Sequence, residues 1–133
     1  MVMSAERWRR SLLTCGILAS VLYVAMTLFV GLLWEGYSVV SGVPSELSAI
    51  GAPTRPLWIR LGAIYAVLMI AFGWMVWKSA PPNRALRIVG ALLIAHTVFG
   101  QFWPPMHHRA LLAADGSTVT DTLHLVWAMI VGF

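Results

Sequence analysis

Charge is scarce in this chain. Only 11% of its 133 residues are charged while 59% are hydrophobic, whereas a soluble domain carries about 25% charged residues. A surface so poor in ionised groups suits water badly. The same balance excludes intrinsic disorder, which needs low hydrophobicity and high charge. Cysteine is nearly absent: Cys15 stands alone, so no intrachain disulfide forms and cysteine usage does not reveal the redox compartment. The sequence has no H-E-x-x-H, no cysteine ligand pair and no G-x-S-x-G elbow, which removes the commonest local signatures of zinc proteases and of α/β-hydrolases. It also has no G-x-x-x-G pair, no low-complexity tract and no repeat of solenoid period.

What the chain does have is long apolar runs. The first, residues 12–34 (LLTCGILASVLYVAMTLFVGLLW), contains no Asp, Glu, Lys, Arg or His. As a helix it would measure about 35 Å, enough to cross a hydrocarbon core of about 30 Å. A signal peptide is the competing reading of ERWRR and the run after it, but the run far exceeds the ~7 to 15 apolar residues of such a leader. The second run, residues 57–77, follows Pro56, a residue suited to the first turn of a helix. The third, residues 86–103, ends at Pro104 and Pro105, which cannot continue a helix. Pro81 and Pro82 divide runs two and three, so these are expected to form an antiparallel hairpin. A fourth run, residues 122–133, is still apolar at Phe133 and would reach only about half a bilayer.

The fold class predicted is therefore all-α: a polytopic transmembrane helix bundle in one domain, residues 1–133. It has three full spans and a fourth that looks truncated, as the N-terminal part of a longer protein would. Within the spans, His96 and Gln101 are polar and expensive in hydrocarbon, so an interhelical hydrogen bond is expected for His96. Gly16, Gly31, Gly62, Gly73, Gly90 and Gly100 are expected at close helix contacts.

A net charge of +4 raises the question of nucleic acid, and the placement of the basic residues answers it. Arg7, Arg9 and Arg10 precede the first run, and Lys78, Arg84 and Arg87 lie between the second and third. That distribution is a topology signal and not a nucleic-acid patch. It places the N-terminus and the 78–87 loop in the cytoplasm of a multi-pass cell-membrane protein. Glu35, Glu46, Asp115, Asp121, Arg55, Arg60, Arg109 and three of the four histidines then fall outside. Trp8, Trp34, Trp58, Trp77 and Trp103 stand at or near run ends, as an interfacial aromatic belt requires.

Chemistry concentrates in the two external loops. In the first, Ser45, Glu46 and Ser48 alternate with apolar neighbours, which suggests a short helix begun after Pro44 that lies in the interface or folds back over the bundle. The second holds His107, His108, Arg109, Asp115, Asp121 and His124. Asp121 and His124 are three apart and would share one helical face, with Asp121 also placed to cap free amides. Glu46, His107, Asp121 and His124 are the candidate metal ligands, for a divalent ion such as zinc. Adjacent His107 and His108 would point different ways, so at most one coordinates. The candidate catalytic set is Ser45, Glu46, Asp121 and His124, with a serine as nucleophile, His124 as base and a carboxylate orienting it. The function expected is a polar pocket on the external face that binds a lipid headgroup or cation; the alternative is a membrane-embedded hydrolase of a lipid or lipid-linked substrate. The partners expected are the bilayer and a lipid or small molecule.

SELSAIGAPTRPLW at residues 45–58, FWPPMHHRAL at 102–111 and DTLHLVWA at 121–128 together resemble the domain-of-unknown-function 998 family of multi-pass membrane proteins. The resemblance covers roughly residues 12–133. It implies about six spans in a complete protein and places Glu46, Gly51, Pro53, Pro104, Asp121 and His124 at the family's motif positions. It implies no particular activity.

Overall fold

The structure, a computed structural model, describes residues 5–131. Its elements run α1 (Ala5–Leu32), a 3₁₀ turn (Pro44–Ser48), α2 (Arg55–Lys78), α3 (Arg84–Gly100), α4 (Arg109–Asp115) and α5 (Val119–Val131). The all-α class holds. No strand forms among the described residues, though an isolated parallel bridge joins Ile50 to His107.

Two helices, α1 and α2, are long and apolar enough to cross a membrane. Their 28 and 24 residues would rise about 42 and 36 Å at ~1.5 Å each. The third run gives a shorter helix than its sequence suggests. Only 17 residues form α3, because Pro104 has no N–H to bond the Gly100 carbonyl and its ring would clash with that carbonyl in a continued helix, and Gln101 closes the end with its amide on Val98 O at 3.0 Å. The fourth run gives the 13 residues of α5, and its residues 132 and 133 lie outside the described residues. The short α4 has no counterpart in the sequence reading. Its RALLAAD is rich in good helix formers, and His108 caps it by accepting the Ala110 amide at 3.3 Å.

The chain packs as two compact units. One holds α1 up to Tyr23, α2 from Ala63, and α3 through Gln101; the other holds α1 from Val24, α2 up to Gly62, and the residues from Phe102 onward. In the first unit α2 and α3 form the expected hairpin around two glycines. A Cβ on Gly90 would lie 2.7 Å from both Gly73 O and Trp77 N, and one on Gly73 would lie 3.0 Å from Gly90 O. Backbone meets backbone there, so a side chain has no room. Gly16 likewise receives the Phe72 ring, but Gly62 and Gly100 have nothing within 4 Å and make no such contact.

His96 also departs from expectation: it is exposed on α3 and forms no hydrogen bond among the described residues, where an interhelical one was predicted. The buried polar residue of that helix is Thr97, whose hydroxyl returns to Leu93 O at 2.8 Å and so satisfies itself within the helix.

Burial in the described chain inverts the pattern of a water-soluble domain. Most of the buried apolar residues are small, among them Ala19, Ala49, Ala52 and Ala66, whereas Glu46, Asp121 and His124 are buried and Leu32, Val67, Phe99 and Ile130 are exposed. Charged groups are almost never fully buried unless paired, so each buried acid must have a partner.

Gly90→Ala is expected to destabilise the hairpin by about 1–3 kcal/mol, the usual cost of overpacking. Gly100→Ala, with open space around it, should be neutral or stabilising by up to ~1 kcal/mol. Thermal unfolding in one detergent compares them, and a Gly90→Ala protein as stable as wild type would remove the close contact from the account.

Candidate functional site

The site lies wholly in the second unit and begins with the loop after α1. Val43 is extended and Pro44 starts the 3₁₀ turn, where proline's fixed φ suits the first position. The short helix expected after Pro44 is this turn. The segment is tied to itself: Ser48 Oγ donates to Ser45 O at 2.9 Å, Thr54 Oγ1 to Leu47 O at 2.9 Å, and the Arg55 guanidinium to Ser48 O. Gly51 then adopts φ +89°, a conformation that glycine enters without steric cost. A Cβ there would also stand 2.8 Å from the Leu111 side chain.

That turn aims Ile50 at the second loop. Ile50 N donates to Met106 O at 2.7 Å and His108 N donates to Ile50 O at 2.9 Å. Glu46, four residues before the bridge, thereby meets Arg109, two residues after it: Arg109 Nε donates to Glu46 Oε1. The two ends of this ion pair differ sharply, with the Glu46 side chain 9% exposed and the Arg109 side chain 63%. The remaining guanidinium nitrogens of Arg109 make no hydrogen bond among the described residues.

Asp121 closes the other side of the bridge. Its Oδ1 accepts the His107 amide at 2.7 Å; its Oδ2 accepts the Thr118 amide at 2.8 Å and the Thr118 hydroxyl at 2.7 Å. His107 Nδ1 lies 3.2 Å from both oxygens. A carboxylate only accepts, so Nδ1 carries the hydrogen, and in the neutral ring Nε2 keeps the lone pair. The Thr118 hydroxyl has one hydrogen and gives it to Asp121, so the Thr120 hydroxyl, 2.8 Å away, is the donor to Thr118. Thr118 and Asp121 thus form half of a capping box at the start of α5, with the side chain of the third helical residue reaching back to the cap's own amide. The carboxylate also sits favourably at a helix N-terminus.

These hydrogen bonds hold the Asp121 carboxyl well below the ordinary carboxylate range, the Thr118 hydroxyl contributing most and the His107 amide next, against a smaller opposing effect of burial. A depressed carboxylate stabilises the fold above its unfolded value, and that contribution disappears as pH falls through the lower, folded value.

His124 shares the buried face with Asp121, as the three-residue spacing predicts, but the two do not bond. His124 Nδ1 donates to Pro104 O at 2.8 Å, and its ring stands edge-on to Trp103 at 4.6 Å and 86°. The two adjacent histidines do point different ways. His107 faces Asp121, while His108 caps α4 and lies 4.7 Å from the Trp34 ring.

The structure therefore brings together His107 with Asp121, and Glu46 with Arg109. Asp121 orients His107 and not His124, and no hydrogen bond joins Ser45 or Ser48 to a histidine among the described residues. Among those residues, no three His, Cys, Asp or Glu side chains gather to hold one metal ion. Of the candidate ligands Glu46, His107, Asp121 and His124, the first faces Arg109, the next two face each other, and the last is tied to Pro104. Two residues the sequence reading left unassigned carry much of the geometry. Arg109 is the cation nearest in sequence to the histidine pair, and a buried Glu46 demands a counter-charge; Thr118 stands three residues before Asp121, the spacing of a capping box.

A family model described as "Protein of unknown function (DUF998)" matches residues 17–133. The chain belongs to the DUF998 family. Comparison with curated proteins and with solved structures finds no match. In this DUF998 chain, Glu46, Gly51 and Asp121 have separate structural tasks: counter-ion, left-handed turn and helix cap.

Asp121→Asn replaces one acceptor oxygen with an amide donor that faces donors. At neutral pH the His107 and Thr118 amides should lose protection in hydrogen exchange. In wild type the same protection should persist above the ordinary Asp value of 3.8 and fall on acidification below it, a step the variant lacks. Equal protection in both proteins at neutral pH would show that the carboxylate does not hold the two loops.

Proposed function

We propose that this DUF998 protein is a multi-pass protein of the cell membrane, with its N-terminus in the cytoplasm, and that its extracytoplasmic loops bind an anionic headgroup. The membrane reading draws on two helices of spanning length, on exposed leucine, valine, isoleucine and phenylalanine beside buried carboxylates, and on the clustering of Lys and Arg in the N-terminus and the 78–87 loop.

One observation carries the binding reading: the Arg109 guanidinium is pinned at Nε by a buried carboxylate and otherwise exposed. An arginine so held has lost rotamer freedom before a ligand arrives, and its terminal nitrogens present a planar pair of donors to a phosphate or carboxylate. His107, pinned at Nδ1 by Asp121, is its near neighbour in sequence. A cation finds less support, since both buried acids already have partners.

The second reading, a hydrolase, draws on the same His107–Asp121 pair, in which a carboxylate orients an imidazole as a general base requires. It has weaker support, because the Ser48 hydroxyl is engaged with Ser45 O and no serine is hydrogen-bonded to a histidine among the described residues.

Two measurements test the proposal. With Cys15 replaced by alanine, a single cysteine at position 45 should react with a membrane-impermeant reagent in intact cells, and one at position 79 only after permeabilisation. Labelling of both from the same side defeats the topology. Calorimetric titration of the purified protein with a short-chain phosphatidylglycerol should give binding that Arg109→Gln weakens by about tenfold or more, the worth of a hydrogen bond to a charged group. An unchanged affinity rules out Arg109 as the recognition element.

A further inference from the structure

The first unit contains a feature that the proposed function leaves aside. Where α2 ends and α3 begins, a groove of about 480 Å³ is lined by Trp77, Pro82, Arg84, Arg87, Ile88 and Ala91. Its chemistry is two-sided, with two guanidiniums set among an indole, an isoleucine and an alanine. Lys78 stands beside it, its Nζ 5.4 Å from the Trp74 ring and 5.9 Å from the Trp77 ring, and the Arg87 guanidinium lies 4.9 Å from the Trp77 ring. Stacking of this kind orients a cation without neutralising it.

None of these three cations has a counter-ion among the described residues. Glu6 is the sole acid in the sequence of this unit, and it is paired with Arg10 at 2.7 Å. Lys78, Arg84 and Arg87 form no ion pair among the described residues. The start of α3 adds to the field. Asn83 caps the Leu86 amide, and the helix's N-terminal partial charge is positive. Positive charge without compensation, beside apolar walls, fits a ligand that is anionic at one end and apolar at the other.

We infer that this groove binds a phospholipid with an anionic phosphate headgroup, the phosphate engaging Arg84 and Arg87 and an acyl chain lying against Trp77, Ile88 and Ala91. The inference rests on the reading of the chain as membrane-embedded. Basic pockets between membrane helices on the cytoplasmic side recognise anionic lipids by this combination of charge and wall.

Native mass spectrometry of the full chain in a nonionic detergent, with added phosphatidylglycerol or phosphatidylcholine, tests it; every protein compared carries Arg109→Gln, so that the loop site proposed above does not contribute. The protein with an unaltered groove should retain phosphatidylglycerol in preference to phosphatidylcholine. Arg84→Gln with Arg87→Gln should weaken phosphatidylglycerol retention by about thirty-fold, from two charges at the membrane surface, and leave phosphatidylcholine unaffected. Arg87→Lys, which keeps the charge, should stay close to the protein with an unaltered groove, and Ala91→Trp, which fills the groove and keeps every charge, should lose the lipid. Arg60→Gln, outside the groove, should change nothing. Equal retention of the two lipids, or retention that survives both Arg84→Gln with Arg87→Gln and Ala91→Trp, overturns the inference. So does full displacement by millimolar inorganic phosphate, which would make free phosphate the ligand. Alkaline carbonate extraction of the same proteins is read separately: release of the protein with an unaltered groove from the membrane fraction defeats the membrane reading itself, whereas its retention there with unselective lipid binding defeats only the groove.

Discussion

The second unit is organised around a carboxylate that has more donors than one chain segment can supply. Asp121 accepts the amide and the hydroxyl of Thr118 from its own helix start, and the amide and ring of His107 from fourteen residues earlier. The local bonds fix where α5 begins. The distant ones fix where the strand-like stretch at Met106–His108 passes, and that stretch pairs with Ile50 through two backbone hydrogen bonds. Ile50 in turn brings Glu46 to Arg109. A buried acid is tolerated only with such partners, so the two buried acids of this unit, Glu46 and Asp121, are buried because the loops are folded, and the loops stay folded because these acids are satisfied.

Much of the helical layout is legible in the sequence. Runs at 12–34 and 57–77 are apolar all round, which marks helices that need no amphipathic stripe, and they become α1 and α2. Boundaries near proline are harder to read. Pro104 acts on the carbonyl four residues back and not only on itself, so α3 stops at Gly100. The turn after Pro44 and the helix start at Asp121 are legible because capping and proline chemistry are local. The pairings Glu46–Arg109 and His107–Asp121 are not, because a bridge between two loops decides them and no periodicity encodes a bridge. For that reason the D-x-x-H spacing correctly places Asp121 and His124 on one face, yet it does not reveal that each bonds elsewhere.

Charge in this protein is sparse. Glu6, Glu46 and Asp121 have partners, whereas Glu35 and Asp115 form no ion pair among the described residues; the cations without a full partner include Arg109, at its outer nitrogens, in one unit, and Lys78, Arg84 and Arg87 in the other. With so few acids, each uncompensated cation carries more information than it would on a water-soluble surface, where counter-charges are abundant and surface pairs contribute little. The two proposed sites both rest on that scarcity, and both proposals name anionic ligands. A lipid environment supplies such groups without needing a cavity of the depth that enclosed small-molecule sites require.

The double duty of Asp121 has a mechanical side. The oxygens that steady the His107 imidazole also close the first turn of α5, so the ring and the helix hang from one hook. A shift of the helix start would re-aim the ring, so the direction in which Nε2 points is set by where α5 begins.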